Sequence, residues 1–289
     1  CSKTQNQEAF ELTLGGFGLT GFVVSLRLRL QRVGARAFLK ERIPVASLVE
    51  AASVMRARAE ADSLYSWHQL NGGGPGRGFV YSARGVPGKV AESLGWKALS
   101  AETRGRRLPP MYNRLTTRLA LGAYELLERL QPTQVTIGLR EAVFPVLGKE
   151  FYFHLFGRRG FREYQALVPE RGFPEMAETI SRLARETGAA ITLGSLKLFA
   201  GRGSLLRFEG DGICFALDCP DGGPALKLFA GLDETVAKLG GLVNLGKDGR
   251  ASAALARRVY PGYEDFKRRL NAFDPKRRFD SALRRRLDV

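Results

Sequence analysis

The sequence is short of the residues that build metal centres: three cysteines and two histidines among 289 residues. Cys1, Cys214 and Cys219 show no C-x-x-C spacing, which argues against zinc and for a reducing, cytoplasmic setting. The histidines sit in aromatic company, YSWHQL and FYFHLF, as packed residues more than catalysts, and no Ser-His-Asp arrangement can be assembled from them. No uncharged apolar run approaches the roughly 18 residues of a membrane span. The chain opens on Cys1, without a starting Met or a charged-then-apolar leader, as if cut from something longer.

What is abundant is positive charge and apolar side chains. The net charge is +16 and 44% of residues are hydrophobic, enough for a real core. Basic clusters fall at Arg104–Arg107, Arg268–Arg269, Lys276–Arg278 and Arg284–Arg286. A solvated basic surface, an anionic membrane surface or a phosphorylated substrate would each suit them. No zinc finger or RNA-recognition signature is present, so nucleic acid is not the expected partner.

Residues 36–85 read as strand, helix, strand (RAFLKERI, VASLVEAASVMRARAEA, then SLYSWHQL and GRGFVYSARGV), with Leu48, Ala51, Ala52 and Met55 on one helical stripe. Residues 86–150 are the least regular, rich in Gly, Pro and Arg. From Phe161 the pattern sharpens: FREYQALVP, a helix over EMAETISRLARETG stopped by Gly188, AITLGSLKLFA, GICFALDCP, a helix over ALKLFAGLDETVAKLGG, then LVNLGK. The order βαββαβ is that of a ferredoxin-like unit, an α+β arrangement with both helices on one face of an antiparallel sheet. In the tail a helix from Tyr263 to Phe273 should bury Phe266, Leu270 and Phe273, with Pro275 ending it.

Side chains alternate along strands. If Tyr164, Ala166, Val168, Leu196, Leu198, Ile213, Phe215 and Leu217 pack under the helices, then Gln165, Lys197 and Cys214 share the opposite face. An amide, an ammonium, a thiol and the small Ala216 suit a ligand wall; an ordinary half-exposed sheet fits the same parity. Simple alternation from Asn244 sends Lys247 the other way, toward Val243 and Leu245, unless Gly246 resets the register. Asp218 and Asp248 stand as lone carboxylates.

Gly15, Gly16, Gly18 and Gly21 crowd a turn that precedes an alternating stretch, Phe22 to Leu30, read as a strand. Nucleotide-binding glycine loops precede a helix instead, so this is neither a Walker A loop nor a clean dinucleotide fingerprint.

CSKTQNQEAFELTLGGFGLTGFVVSLRLRL resembles the end of the flavin domain in the vanillyl-alcohol oxidase superfamily. FGRRGFREYQALVP, SLKLFAGR, DGICFALDCP, GGLVNLGKDGR and the last thirty residues resemble its decaprenylphosphoryl-ribose, aldonolactone and alditol oxidase group. The resemblance implies an FAD-dependent oxidoreductase that oxidises a secondary alcohol of a sugar-like, phosphorylated or lipid-linked substrate by hydride transfer. It implies a remnant of the FAD domain over 1–33, a substrate or cap domain over 34–250 and a tail over 251–289 returning to the FAD domain. The main pyrophosphate loop would then lie upstream or on a partner chain. By the same resemblance, Gly18, Thr20, Gly21 and Val23 contact FAD, and Asn244 stands where relatives carry a tyrosine near the flavin ring. Lys247 and Cys214 are the implied catalytic pair beside flavin and substrate. Gln165, Lys197, Cys214 and, less securely, Trp67 line the substrate pocket. Gly212 departs from an Asn in relatives. A non-enzymatic basic module of ferredoxin-like fold binding RNA or an acidic partner is the alternative from another class, and a flavin-free fragment inactive alone is a further one.

Overall fold

A computed structural model describes residues 1–30, 37–88, 109–145 and 151–289. The basic cluster Arg104–Arg107 and part of the irregular 86–150 region lie outside them. The elements, in chain order, are α1 (Gln7–Thr13), β1 (Ala37–Val45), α2 (Leu48–Ala57), β2 (Ser63–His68), β3 (Gly78–Gly85), α3 (Arg114–Leu130), β4 (Gln134–Gly138), α4 (Leu139–Val143), α5 (Phe151–His154), β5 (Phe161–Val168), α6 (Phe173–Thr187), β6 (Leu193–Phe199), β7 (Gly212–Pro220), α7 (Gly223–Lys238), β8 (Leu242–Val243), α8 (Ala253–Val259), α9 (Tyr263–Phe273) and α10 (Ala282–Leu287). The fold is mixed, with an antiparallel sheet.

That sheet has eight strands in the order β4-β1-β3-β2-β6-β7-β5-β8. The first four strands follow the same internal order as the last four, and the two sets meet where His68 pairs with Gly194. One face is closed by α2, α6 and α7. Met176, Ile180, Leu183 and Ala184 of α6 and Leu228, Phe229, Leu232 and Val236 of α7 are buried with Tyr164, Ala166, Val168, Ile213, Phe215 and Leu217 of the strands. Each large side chain so buried contributes roughly 1.5–3 kcal/mol. Gly188 ends α6 in the left-handed conformation, φ 65°, that glycine adopts without penalty.

The opposite face is covered in part. Across β2 and β3, Trp67, Phe79 and Tyr81 pack with Leu121 of α3. Asn113 caps that helix by accepting from the Leu115 and Thr116 amides, and the Thr116 hydroxyl accepts from the Asn113 amide.

Four expectations change. The 86–150 region contains a seventeen-residue helix, α3, besides β4 and α4. LVNLGK is a strand only at Leu242–Val243 and then turns. Phe266 and Leu270 are buried, but Phe273, at the end of α9, is exposed. The stretch from Phe22 to Leu30 joins no strand; its apolar side chains Phe22, Val24, Leu26, Leu28 and Leu30 are exposed. A strand gains its hydrogen bonds from a neighbour, and none of the described residues supplies one here.

Candidate functional site

The strand register builds the helix-free face in rows. Glu163 pairs with Asp218 and Leu193 with Asp218; Gln165 and Ser195 flank Ala216; Leu167 and Lys197 flank Cys214. Gln165, Lys197 and Cys214 thus lie on one face, as parity required. Trp67 shares the face but lies deeper under α3, stacked on Phe79 and against Tyr124 at ring separations of 6.1 and 4.7 Å.

Asn244 and Lys247 reach the same region from the turn after β8. The Asn244 amide N–H donates to the Gln165 carbonyl (2.9 Å), and its side-chain nitrogen donates to Gln165 Oε1 (2.6 Å). The chain then folds back, with the Lys247 N–H donating to the Asn244 carbonyl at 3.1 Å. This turn overturns simple alternation: Lys247 Nζ donates to Glu163 Oε1 at 2.6 Å, on the side of the sheet that carries Asp218 and Cys214. The pair lines a cleft of about 290 Å³ with Phe161, Arg162, Phe229 and Arg250.

Cys214 is 1% exposed, and burial, against the pull of Lys197 and Lys247, pushes its thiol up to about 12. The group is shielded from electrophiles and stays protonated at neutral pH. Gly212, two residues earlier, has φ 153°, and a Cβ there would meet the Val168 carbonyl oxygen at 2.2 Å. A side chain at this position would collide with β5.

Asp218, read from the sequence as a lone carboxylate, is not a surface group. It is buried, and the Tyr152 hydroxyl donates to its Oδ2 at 3.0 Å while lying 2.7 Å from the Thr192 hydroxyl. Burial, reinforced by neighbouring Glu163 and opposed by Tyr152 and Lys247, raises the carboxyl to about 7. The signal was present only as an acidic residue inside an otherwise apolar strand. Asp248, the other lone carboxylate, clamps a turn by accepting from the Arg250 and Ala251 amides. His68 is packed as expected, its ring nitrogens against the Gly76 carbonyl and the Ser66 hydroxyl, and burial lowers it to about 4.

The raised Asp218 carboxyl has a consequence for stability. Its folded value exceeds the unfolded one near 4, so the folded state binds the proton more tightly. That contribution is complete below the unfolded value and is lost as pH rises through about 7. Asp218→Asn, which keeps an acceptor for Tyr152, should therefore gain stability over the wild type between acidic and slightly alkaline pH. Urea midpoints of both proteins across that range test it; a constant difference would refute the assignment.

The glycine turn lies at the far end of this region. Gly18 (φ 73°) and Gly21 (φ 132°) both adopt backbone that favours glycine, and a Cβ on Gly18 would meet open space. The Thr20 hydroxyl is 2.8 Å from that of Thr13, and Val23 is exposed. A cleft of about 350 Å³ separates this turn from the end of β8, bounded by Leu14, Gly15, Phe17, Arg207, Asn244 and Leu245. Lys247 is one side of the Asn244 turn and this cleft the other. No group of histidine, cysteine and acidic residues suited to a metal occurs among the described residues.

No protein-family model matches the chain. An uncharacterized protein in the mprA 5' region of Streptomyces coelicolor is 31% identical over 302 residues, covering 97% of this chain and 80% of that protein. Decaprenylphosphoryl-beta-D-ribose oxidase of Mycolicibacterium smegmatis is 25% identical over 297 residues, 98% of this chain and 64% of the oxidase. The chain is thus distantly related to an oxidase and spans less than two thirds of that relative's length.

Proposed function

This chain belongs to the family of the uncharacterized Streptomyces coelicolor protein, and from that premise we propose that it is the substrate-facing part of an FAD-dependent oxidoreductase. Its substrate in this proposal is a secondary alcohol on a sugar-like molecule. The observation that carries the reading is the convergence of Gln165, Lys197, Cys214, Asn244 and Lys247, from four separate segments, on one side of the sheet, with Asn244 bounding the cleft next to Gly15 and Phe17. The distant relation to an oxidase supports it.

The residues present fit one side of a flavin nucleotide. Gly18, Thr20, Gly21 and Val23 would line its adenine or pyrophosphate end through backbone groups, where Gly18 leaves open space. Asn244 would meet its ring end across the 350 Å³ cleft, with Lys247 on the other side of the Asn244 turn. The remaining contacts would come from sequence outside this chain. The last four strands with α6 and α7 form, in this proposal, the ferredoxin-like core of the substrate domain. When bound, FAD would accept a hydride from the carbinol carbon.

The chain's own residues divide the remaining work. Gln165, fixed by Asn244, orients a substrate hydroxyl. Lys197, exposed on the same row as Cys214, binds an anionic or polyol group. Lys247, steadied by Glu163, presents an ammonium to the oxygen on which negative charge develops. Asp218, poised to exchange a proton near neutral pH, takes up the hydroxyl proton. Cys214 shapes the wall and stays protonated. A steady-state assay of the flavin-loaded protein, with sugar alcohols and an artificial electron acceptor, tests the reading. Polyol-dependent reduction of the acceptor is expected, and its absence across neutral, phosphorylated and lipid-linked sugars would overturn the proposal.

A further inference from the structure

Helix α3 carries an apolar face turned to solvent, besides the side it packs on the sheet. Leu115, Leu119, Leu126 and Leu130 recur at helical spacing on its solvent side, flanked by Leu127, and all five are 60–72% exposed. Its sheet-facing side is mixed, with Leu121 packed on Trp67, Phe79 and Tyr81 beside the buried Thr117 and Glu125. Glu125 is buried and bonded to Arg77 Nε (2.9 Å) and Arg129 (3.0 Å), and Glu128 accepts from the Tyr81 hydroxyl at 2.9 Å. Both carboxylates of the helix are therefore turned inward, and its outward side carries no acid.

The apolar surface continues past the start of α3. The Met111 N–H donates to the Leu155 carbonyl, and Tyr112 packs on Tyr152 and Phe156, which brings α5 alongside. That segment adds the exposed Phe151 and Phe153. Among the described residues, exposed arginines flank this surface: Arg114 and Arg118 on α3 and Arg158 and Arg159 after α5.

We infer that this face, the leucine stripe of α3 with Phe151 and Phe153, docks the protein on an anionic membrane surface. An interfacial helix lays leucines into the acyl boundary while arginines engage lipid headgroups, and α3 supplies both at about 25 Å of length. The net charge of +16 favours an anionic surface. A second copy of the chain would instead bring two strongly cationic surfaces and their arginine rims together. No helix among the described residues is long and apolar enough to cross a membrane, so the docking is peripheral. The inference is independent of the proposed oxidation chemistry.

Flotation of the purified protein with phosphatidylcholine vesicles, with and without phosphatidylglycerol, tests it. The protein should float with the phosphatidylglycerol vesicles and release as salt is raised. Leu119→Asp with Leu126→Asp should lower that partition at least about tenfold. Both positions are exposed, so the melting temperature of the double variant should match the wild type and exclude misfolding as the cause. Arg114→Gln with Arg118→Gln should weaken binding to phosphatidylglycerol vesicles in particular. Failure to float, or undiminished flotation of the leucine variant, overturns the inference. So does a dimer in sedimentation that the leucine variant dissolves, because the stripe would then belong to a subunit interface.

Discussion

Replacing Lys247 with methionine should slow substrate-dependent flavin reduction by about 10²–10³-fold, the loss typical when one preorganised donor to a developing oxyanion is removed. The fold should hardly notice. The Lys247–Glu163 pair is partly exposed on both sides, and such pairs contribute about 0–1 kcal/mol. This separation of rate from stability distinguishes a group that meets the substrate from one that only supports the turn after β8. Rapid-mixing measurements of the reductive half-reaction, beside thermal melts, read both. A Lys247→Met protein that keeps the full reduction rate would remove this lysine from the chemistry.

The second large effect concerns stability alone. Arg284 was grouped by sequence with a basic surface run, but its side chain is fully buried. Its Nη1 donates to Asp274 Oδ2 at 3.0 Å and to the Phe279 carbonyl at 2.7 Å, and its Nε donates to the Val289 carbonyl at 3.0 Å. One guanidinium thus ties α10, the chain end and the turn after α9 together. Removing one partner of a buried ion pair costs about 3–5 kcal/mol, because the other charge is left without compensation. Arg284→Met should lose about that much in urea unfolding. By contrast Arg285, exposed and paired with Asp280, should tolerate the same change with little loss. Equal effects at the two positions would mean that the buried network is not what anchors the tail.

The parts of the fold that could be read in advance share one property: a sharp hydrophobic period with a recognisable stop. β5, α6, β6, β7 and α7 have it, with Gly188 closing α6 at φ 65°, and the residues facing away from their helices followed by parity. The matching order of the first four strands was hidden, because α3 turns most of its leucines outward and sets Thr117 and Glu125 beside Leu121 against the sheet. Its periodicity does not point at the core it covers. Lys247 was misplaced by alternation because β8 ends at Val243 and a turn held by Asn244 carries the chain back. Asp218 read only as a lone carboxylate because its altered chemistry comes from burial beneath Tyr152, a long-range contact invisible in local pattern. Phe22 to Leu30 alternates like a strand, yet alternation cannot supply the neighbour that a strand needs.

Anaerobic mixing of the flavin-loaded protein with candidate sugar alcohols, followed by the visible absorption of the flavin, addresses the central claim most directly. Bleaching by a polyol, with a primary isotope effect when the carbinol hydrogen is deuterium, is the predicted result. A protein that holds flavin yet is not bleached by any of these alcohols, or that binds no flavin when produced from its full gene, would contradict it.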